Sequence, residues 1–528
     1  MTKRSALRWL LIAATSLGAA VASHAQEERK LTTIYFGVKA CVACHGKESD
    51  AFANRAKLAH ADNVFTSRLL ESNIWSQHDK HKDAARVLKN ERSKQIAAIM
   101  KLPADLTNEP RCANCHGVYI DPAREKELIH EDTFQGDDRL ASGVSCVACH
   151  GPIAEWVNEH AAPLPKKKWA TRSRDEKAQE FGLRDLWDPV ERAQVCFSCH
   201  IGNIKEGKFV SHEMYAAGHP PLPSIELTAF SEAMPAHWES LTQKAARALE
   251  GGEKARNGAA FLKAAYGMDA KAMRMEQTRL VALTSLVALR DSVRMMGEFA
   301  AESLKPKALD ATWPELAFFD CYACHHDLKT KSWRLERGYQ GKPGRPTVRP
   351  WSYPLALAAD RLIDPPTLDP ALKSWNAVFQ NVPFGDPRSV VAQAKALDLV
   401  LAKRIQALAA KPIDRAVAER FALDIAEAAA KDVHDFDSAR QFAWALRTIA
   451  TELQDGGRYV LMKPGEHRLK GEIGEQFRTL EKTLQLTLPE GQVEIAPSSL
   501  DRVLGQISAY DPAEFRATMR AIAKTLSR

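Results

Sequence analysis

At 528 residues the chain is too long for one ordinary hydrophobic core, so more than one domain is expected. The formal net charge of +7 suggests a basic protein, but Lys3, Arg4 and Arg8 all fall in the first 25 residues, which hold no acidic group. Without that stretch the charge is +4, too weak a surplus to imply a nucleic-acid partner.

The N-terminus follows those basic residues with an apolar run at 9–22 and then Ser23-His24-Ala25. This is the order of a secretory signal peptide, predicted over 1–25 with cleavage after Ala25. The run is 14 residues long, short of the roughly 20 that span a bilayer. No later apolar stretch is long enough to span one either. The expectation is a periplasmic protein with no transmembrane anchor once the signal is removed.

All ten cysteines fall into five copies of one pattern: CVACH at 41–45, CANCH at 112–116, CVACH at 146–150, CFSCH at 196–200 and CYACH at 321–325. Two thiols three residues apart on one turn can add to the two vinyl groups of a porphyrin, and the next residue then ligates its iron. Five covalently bound heme c groups are therefore predicted. Their attachment residues are Cys41 and Cys44, Cys112 and Cys115, Cys146 and Cys149, Cys196 and Cys199, and Cys321 and Cys324. The proximal ligands are His45, His116, His150, His200 and His325. A disulfide scaffold would not place His after the second Cys each time, and paired zinc motifs would leave the fifth one over. Five hemes also bring up to about ten propionates, taking the net charge to roughly −6. Lys166, Lys167 and Lys168 then read as a solvated loop or a local patch for a redox partner.

The chain reads as mainly α: a heme-packed multiheme segment with little sheet, followed by helical segments. Residues 26–235 hold four motifs among turn-rich sequence, in which porphyrins supply much of the apolar interior. Residues 236–340 carry the fifth motif after a short helix at 238–250 and a long one marked by Leu283, Leu286, Leu289, Val293, Met296 and Ala300. Proline-rich residues 341–354 read as a linker. Residues 355–528 read as a helical domain without heme. Asp386-Pro387 starts a stripe of Val390, Ala394, Leu397, Leu401, Ile405 and Leu408. Asp414 can cap the next helix. Two further stripes follow: Phe442, Leu446, Ile449 and Leu453, then Ile473, Phe477, Leu480, Leu484 and Leu488.

Each iron has a sixth position. A second His there suits electron transfer, whereas an open position allows chemistry. Trp75 with Asp79-Lys80-His81, Gly143-Val144-Ser145 before the third motif, Gly151-Pro152 with 156–160 after it, and CFSCHIGN with His212-Glu213-Met214 and Gly218-His219-Pro220 occur together. Together these resemble the cytochrome c-554 type of multiheme cytochromes. They are more similar still to its longer relatives, which add a helical segment ending in CxxCHH-Asp-Leu, here 321–328. The resemblance covers roughly residues 35 to 335. It implies His81, His160, His212 and His219 as distal ligands. His78, three residues before His81, is the alternative to it, and His60 is an alternative for the first or fifth heme. His326 either reaches a neighbouring heme or packs. His130, His237, His434 and His467 read as structural or surface residues, and Met214 and Met295 as core.

The function expected is electron transfer between redox partner proteins. The alternative is an oxidoreductase acting on a small nitrogen or sulfur compound at one five-coordinate heme. The C-terminal helices are a possible docking module for a partner.

Overall fold

A computed structural model describes residues 31–46, 69–130, 133, 142–162, 169, 172–249, 259–260, 262–263, 269, 274–306, 312–325, 342, 344–433, 435–457, 469–484 and 509–528. The leader at 1–25, His60, Lys166, Lys167, Lys168, His326, His434, His467 and Leu488 lie outside the described residues. Among those described there is no β-strand, only isolated bridges such as Thr33 with Ile153. The mainly helical fold class expected from the sequence is the one that forms. No described helix is long and apolar enough to cross a membrane.

The N-terminal half is built from short helices, among them α1 (Val38–His45), α2 (Glu71–His78), α3 (Glu91–Ile99), α4 (Pro110–His116), α5 (Cys146–His150), α6 (Ala154–Ala161), α7 (Pro189–His200), α8 (His212–Ala216), α9 (Leu227–Ala233) and α10 (Leu241–Leu249). Local capping makes such short elements possible. The Asn90 side chain accepts from the Ser93 N–H at the start of α3. At the start of α7 Asp188 accepts from the Val190 and Glu191 N–H groups, with Pro189 in the first turn, where a missing N–H costs nothing. Leu88, Ala97, Leu106, Cys112 and Met214 form one apolar cluster in this half.

The second half is packed differently. Long helix α11 (Glu276–Ser303) is buried along most of its length and lies against α12 (Ser352–Asp360) and α14 (Pro387–Ala410). Around them pack α13 (Leu368–Asn381), α15 (Arg415–Asp432), α16 (Phe436–Gln454), α17 (Gly471–Leu484) and α18 (Pro512–Leu526). The stripes read from sequence are the buried faces: Val390, Leu401 and Leu408 on α14, and Phe442, Leu446 and Ile449 on α16, are all fully buried. Asp386 and Asp414 cap α14 and α15 as expected. At the α11–α14 contact Gly297 lets the backbones close, since a Cβ there would lie 2.5 Å from the Ala394 Cβ.

One hydrophobic cluster runs from Ala193 and Phe197 on α7 through α11 to Ile522 on α18. The residues after 344 join it: Val348 bridges to Phe319, and Trp351 is buried. The fourth motif, at the end of α7, therefore sits on the same core as the C-terminal helices.

Candidate heme sites

Four motifs lie on helices whose last residue is the motif histidine: His45 on α1, His116 on α4, His150 on α5 and His200 on α7. One helical turn puts both thiols of a motif on the same face. The fifth motif begins on a 3-10 turn, Cys321–Ala323, started by the Asp320 carboxylate accepting from the Tyr322 N–H. None of the ten cysteines is in a disulfide. Among the described residues no group of three or more His, Cys, Asp or Glu side chains converges on a metal-sized point, as a zinc site would require.

Each motif histidine faces a second histidine far away in the chain. Ring centroids are 6.4 Å apart for His45 and His160, 6.3 Å for His116 and His219, and 6.4 Å for His150 and His237. They are 6.3 Å apart for His200 and His81 and 6.2 Å for His325 and His212. Two imidazoles bound to opposite sides of one metal ion through bonds of about 2.0 Å have centroids a little over 6 Å apart. All five pairs fit that spacing. Burial pushes His150, His200 and His219 down to about 4, so their rings are neutral at pH 7 and have a lone pair to give.

The four histidines that the resemblance named are each placed opposite a different motif. His78, the alternative to His81, ends α2 exposed, while His81 turns inward on the next 3-10 turn. The Gly143 loop docks on that turn. The Val144 N–H donates to the His81 carbonyl at 2.9 Å, and Trp75 Nε1 donates to the Val144 carbonyl at 3.3 Å. Gly143 has φ +48°, and a Cβ there would sit 2.4 Å from the His81 carbonyl oxygen, so only glycine allows the approach. His130 stacks on Phe36, and Met214 is core.

His237, read from sequence as structural or surface, instead faces His150. It lies in the loop after α9, with no motif around it and nothing beyond its residue type to mark it. The only available signal was arithmetic, since five motif histidines left one without a named partner.

The outer nitrogens of several rings are also held. Nδ1 of His116 donates to the Ala84 carbonyl at 2.9 Å, that of His160 to the Val157 carbonyl at 2.7 Å, and that of His219 to the Pro220 carbonyl at 2.8 Å. His45 Nδ1 instead meets Glu71 Oε2, and His81 Nδ1 meets Asp79 Oδ1, both at 2.9 Å. Burial alone would raise the Asp79 carboxyl, but the hydrogen bond and charge of His81 outweigh it and hold it below its ordinary value. Such outer contacts fix which nitrogen faces a metal. Among the buried arginine nitrogens with no hydrogen-bond partner in the described residues are Arg92 Nη1 and Arg192 Nε. Arg192 is one turn before Cys196, and the Arg92 charge acts on His219. Buried guanidinium nitrogens with a donor to spare beside motif residues fit a group that brings carboxylates, as heme does.

Thiols of different motifs lie near one another. Cys41 and Cys146 lie close enough to shift each other's titration, as do Cys115 and Cys199. Motif one is thus beside motif three, and motif two beside motif four.

Residues 40–151 match the family model of cytochrome c554 and c-prime. This stretch is a multiheme cytochrome c of the c554 type. The match takes in the first three motifs, Trp75 and the Asp79–His81 turn, and stops after His150. No curated protein and no solved structure matches the cytochrome. Its fourth and fifth motifs, and the helices after them, therefore rest on the geometry described above.

Proposed function

We propose that the protein is an exported pentaheme cytochrome that passes electrons between redox partner proteins through five bis-histidine hemes. The observation that carries this reading is that every motif histidine has a second histidine across from it at metal-bridging distance. Heme c, once attached to a motif, supplies one-electron exchange at its iron. The chain supplies the rest. If both histidines of each pair held the iron, none would offer a free position to a substrate, which favours conduction over catalysis.

The side chains also suggest an order. The mutual influence of cysteines links motif one to three and motif two to four. Cys149 of motif three acts electrostatically on Cys196 of motif four, and Cys199 on Cys149, which supports motif three lying near motif four. The fifth motif joins through α8: His212 at its start faces His325, and His219 just past its end faces His116. Between them lies Tyr215, its ring 6.2 Å from His219 and its hydroxyl within electrostatic reach of Cys321. Glu315 ties the two parts together, accepting from the His212 N–H at 2.8 Å and the Ala317 N–H at 2.9 Å. The route reads one, three, four, two, five. Export is supported by the leader-like order of residues 1–25.

Heme quantification with electron paramagnetic resonance of the oxidised protein tests the reading. Five hemes per chain and only low-spin ferric signals are expected. A high-spin ferric signal would support an oxidoreductase with one open iron instead.

A further inference from the structure

Among the described residues, two carboxylate-backed histidines separate two of the five sites from the rest, an inference that rests on the five-heme reading above. A peptide carbonyl is a neutral acceptor, and it backs His116, His160 and His219. A carboxylate carries full charge and draws the Nδ1 proton further, making the imidazole a stronger donor to metal. A more basic ligand and a nearby negative charge favour ferric over ferrous iron and lower the reduction potential.

Glu71 and Asp79 differ in strength. Glu71 is 20% exposed and its charge is screened by water, whereas Asp79 is 3% exposed. Asp79 is also fixed in place, because the same oxygen that meets the His81 ring accepts from the His81 N–H at 2.9 Å. Its charge reaches Cys149 and His237, which belong to the third motif's site. Asp79 therefore stands at the junction of the third and fourth sites, where the two cysteine-linked pairs of motifs meet.

We infer that Asp79 is a positioning residue that makes the iron between His81 and His200 the lowest-potential one in the protein, and so sets the barrier for electrons crossing between the two pairs. Each crossing moves one electron from a ferrous iron at the third site to a ferric iron at the fourth, with no proton or group transferred.

The test is a spectroelectrochemical titration of the purified holoprotein, wild type against Asp79→Asn and Glu71→Gln. In Asp79→Asn the lowest of five midpoints should rise by at least a tenfold change in its ferric-to-ferrous ratio, about 59 mV for one electron, with the other four little moved. Glu71→Gln should raise a different midpoint, and by less. An unchanged titration in Asp79→Asn, or an equal shift of all five midpoints, overturns the inference. A readout independent of any variant guards against misfolding. In the wild type, the ferric signal of imidazolate character with the strongest ligand field should be the last to disappear on reduction. If it disappears before another, the inference fails. Fewer than five midpoints, or a high-spin signal in the wild type, overturns the five-heme reading and this inference with it.

Discussion

The rings of His150 and His237 stand 6.4 Å apart, one at the end of a heme-attachment motif and the other in a loop that carries no motif at all. Replacing His237 with Ala should leave five hemes attached but open one iron. One high-spin ferric component beside four low-spin ones, seen by electron paramagnetic resonance, is the expected result. His78→Ala, at an exposed position one helix end away from His81, should leave the spectrum unchanged.

Arg92 has one buried guanidinium nitrogen, Nη1, with no hydrogen-bond partner among the described residues, and its charge acts on His219. A positive charge stabilises an added electron, so Arg92→Gln should lower the potential of the site between His116 and His219. A redox titration in which one midpoint falls, and the low-spin spectrum is retained, checks this.

Glu452 caps α11 from α16, accepting from the Gln277 N–H at 3.0 Å and from the Thr278 N–H at 2.8 Å and hydroxyl at 2.6 Å. Burial nevertheless pushes its carboxyl up from 4.5 to about 7. Because the folded value lies above the unfolded one, its contribution is fully present below pH 4.5 and is lost as pH rises through about 7. The loss is on the order of 3 kcal/mol. Urea unfolding midpoints at pH 5 and pH 8 should fall with pH in the wild type, and fall less in Glu452→Gln.

Gly297 sits where α11 and α14 touch, and a Cβ there would lie 2.5 Å from the Ala394 Cβ. Gly297→Val should force the helices apart and cost about 1–3 kcal/mol, as overpacking does. A lowered thermal midpoint with an unaltered heme spectrum is expected, because none of the five histidine pairs lies on either helix.

The attachment chemistry was legible in the sequence because it is local. Cys41 and Cys44, or Cys196 and Cys199, need only one turn of chain to reach the same porphyrin, so spacing alone states the chemistry. The C-terminal helices were legible for a related reason, since stripes such as Val390, Ala394 and Leu397 repeat with the period of the helix they bury. His81 could be separated from His78 only by the turn after α2, and His237 only by its position across from His150. Neither difference leaves a periodic trace.

The sequence by itself determined where heme c can be attached, which histidines follow each thiol pair, and that the rest of the chain is helical. Only the tertiary structure decided which histidine stands opposite which motif, that motif one lies beside three and two beside four, and that Glu71 and Asp79 back two of the rings. The physical reason is range. Covalent attachment and helix burial are set within one or two turns of chain, whereas axial pairing, motif-to-motif contact and carboxylate placement are set by how distant segments pack.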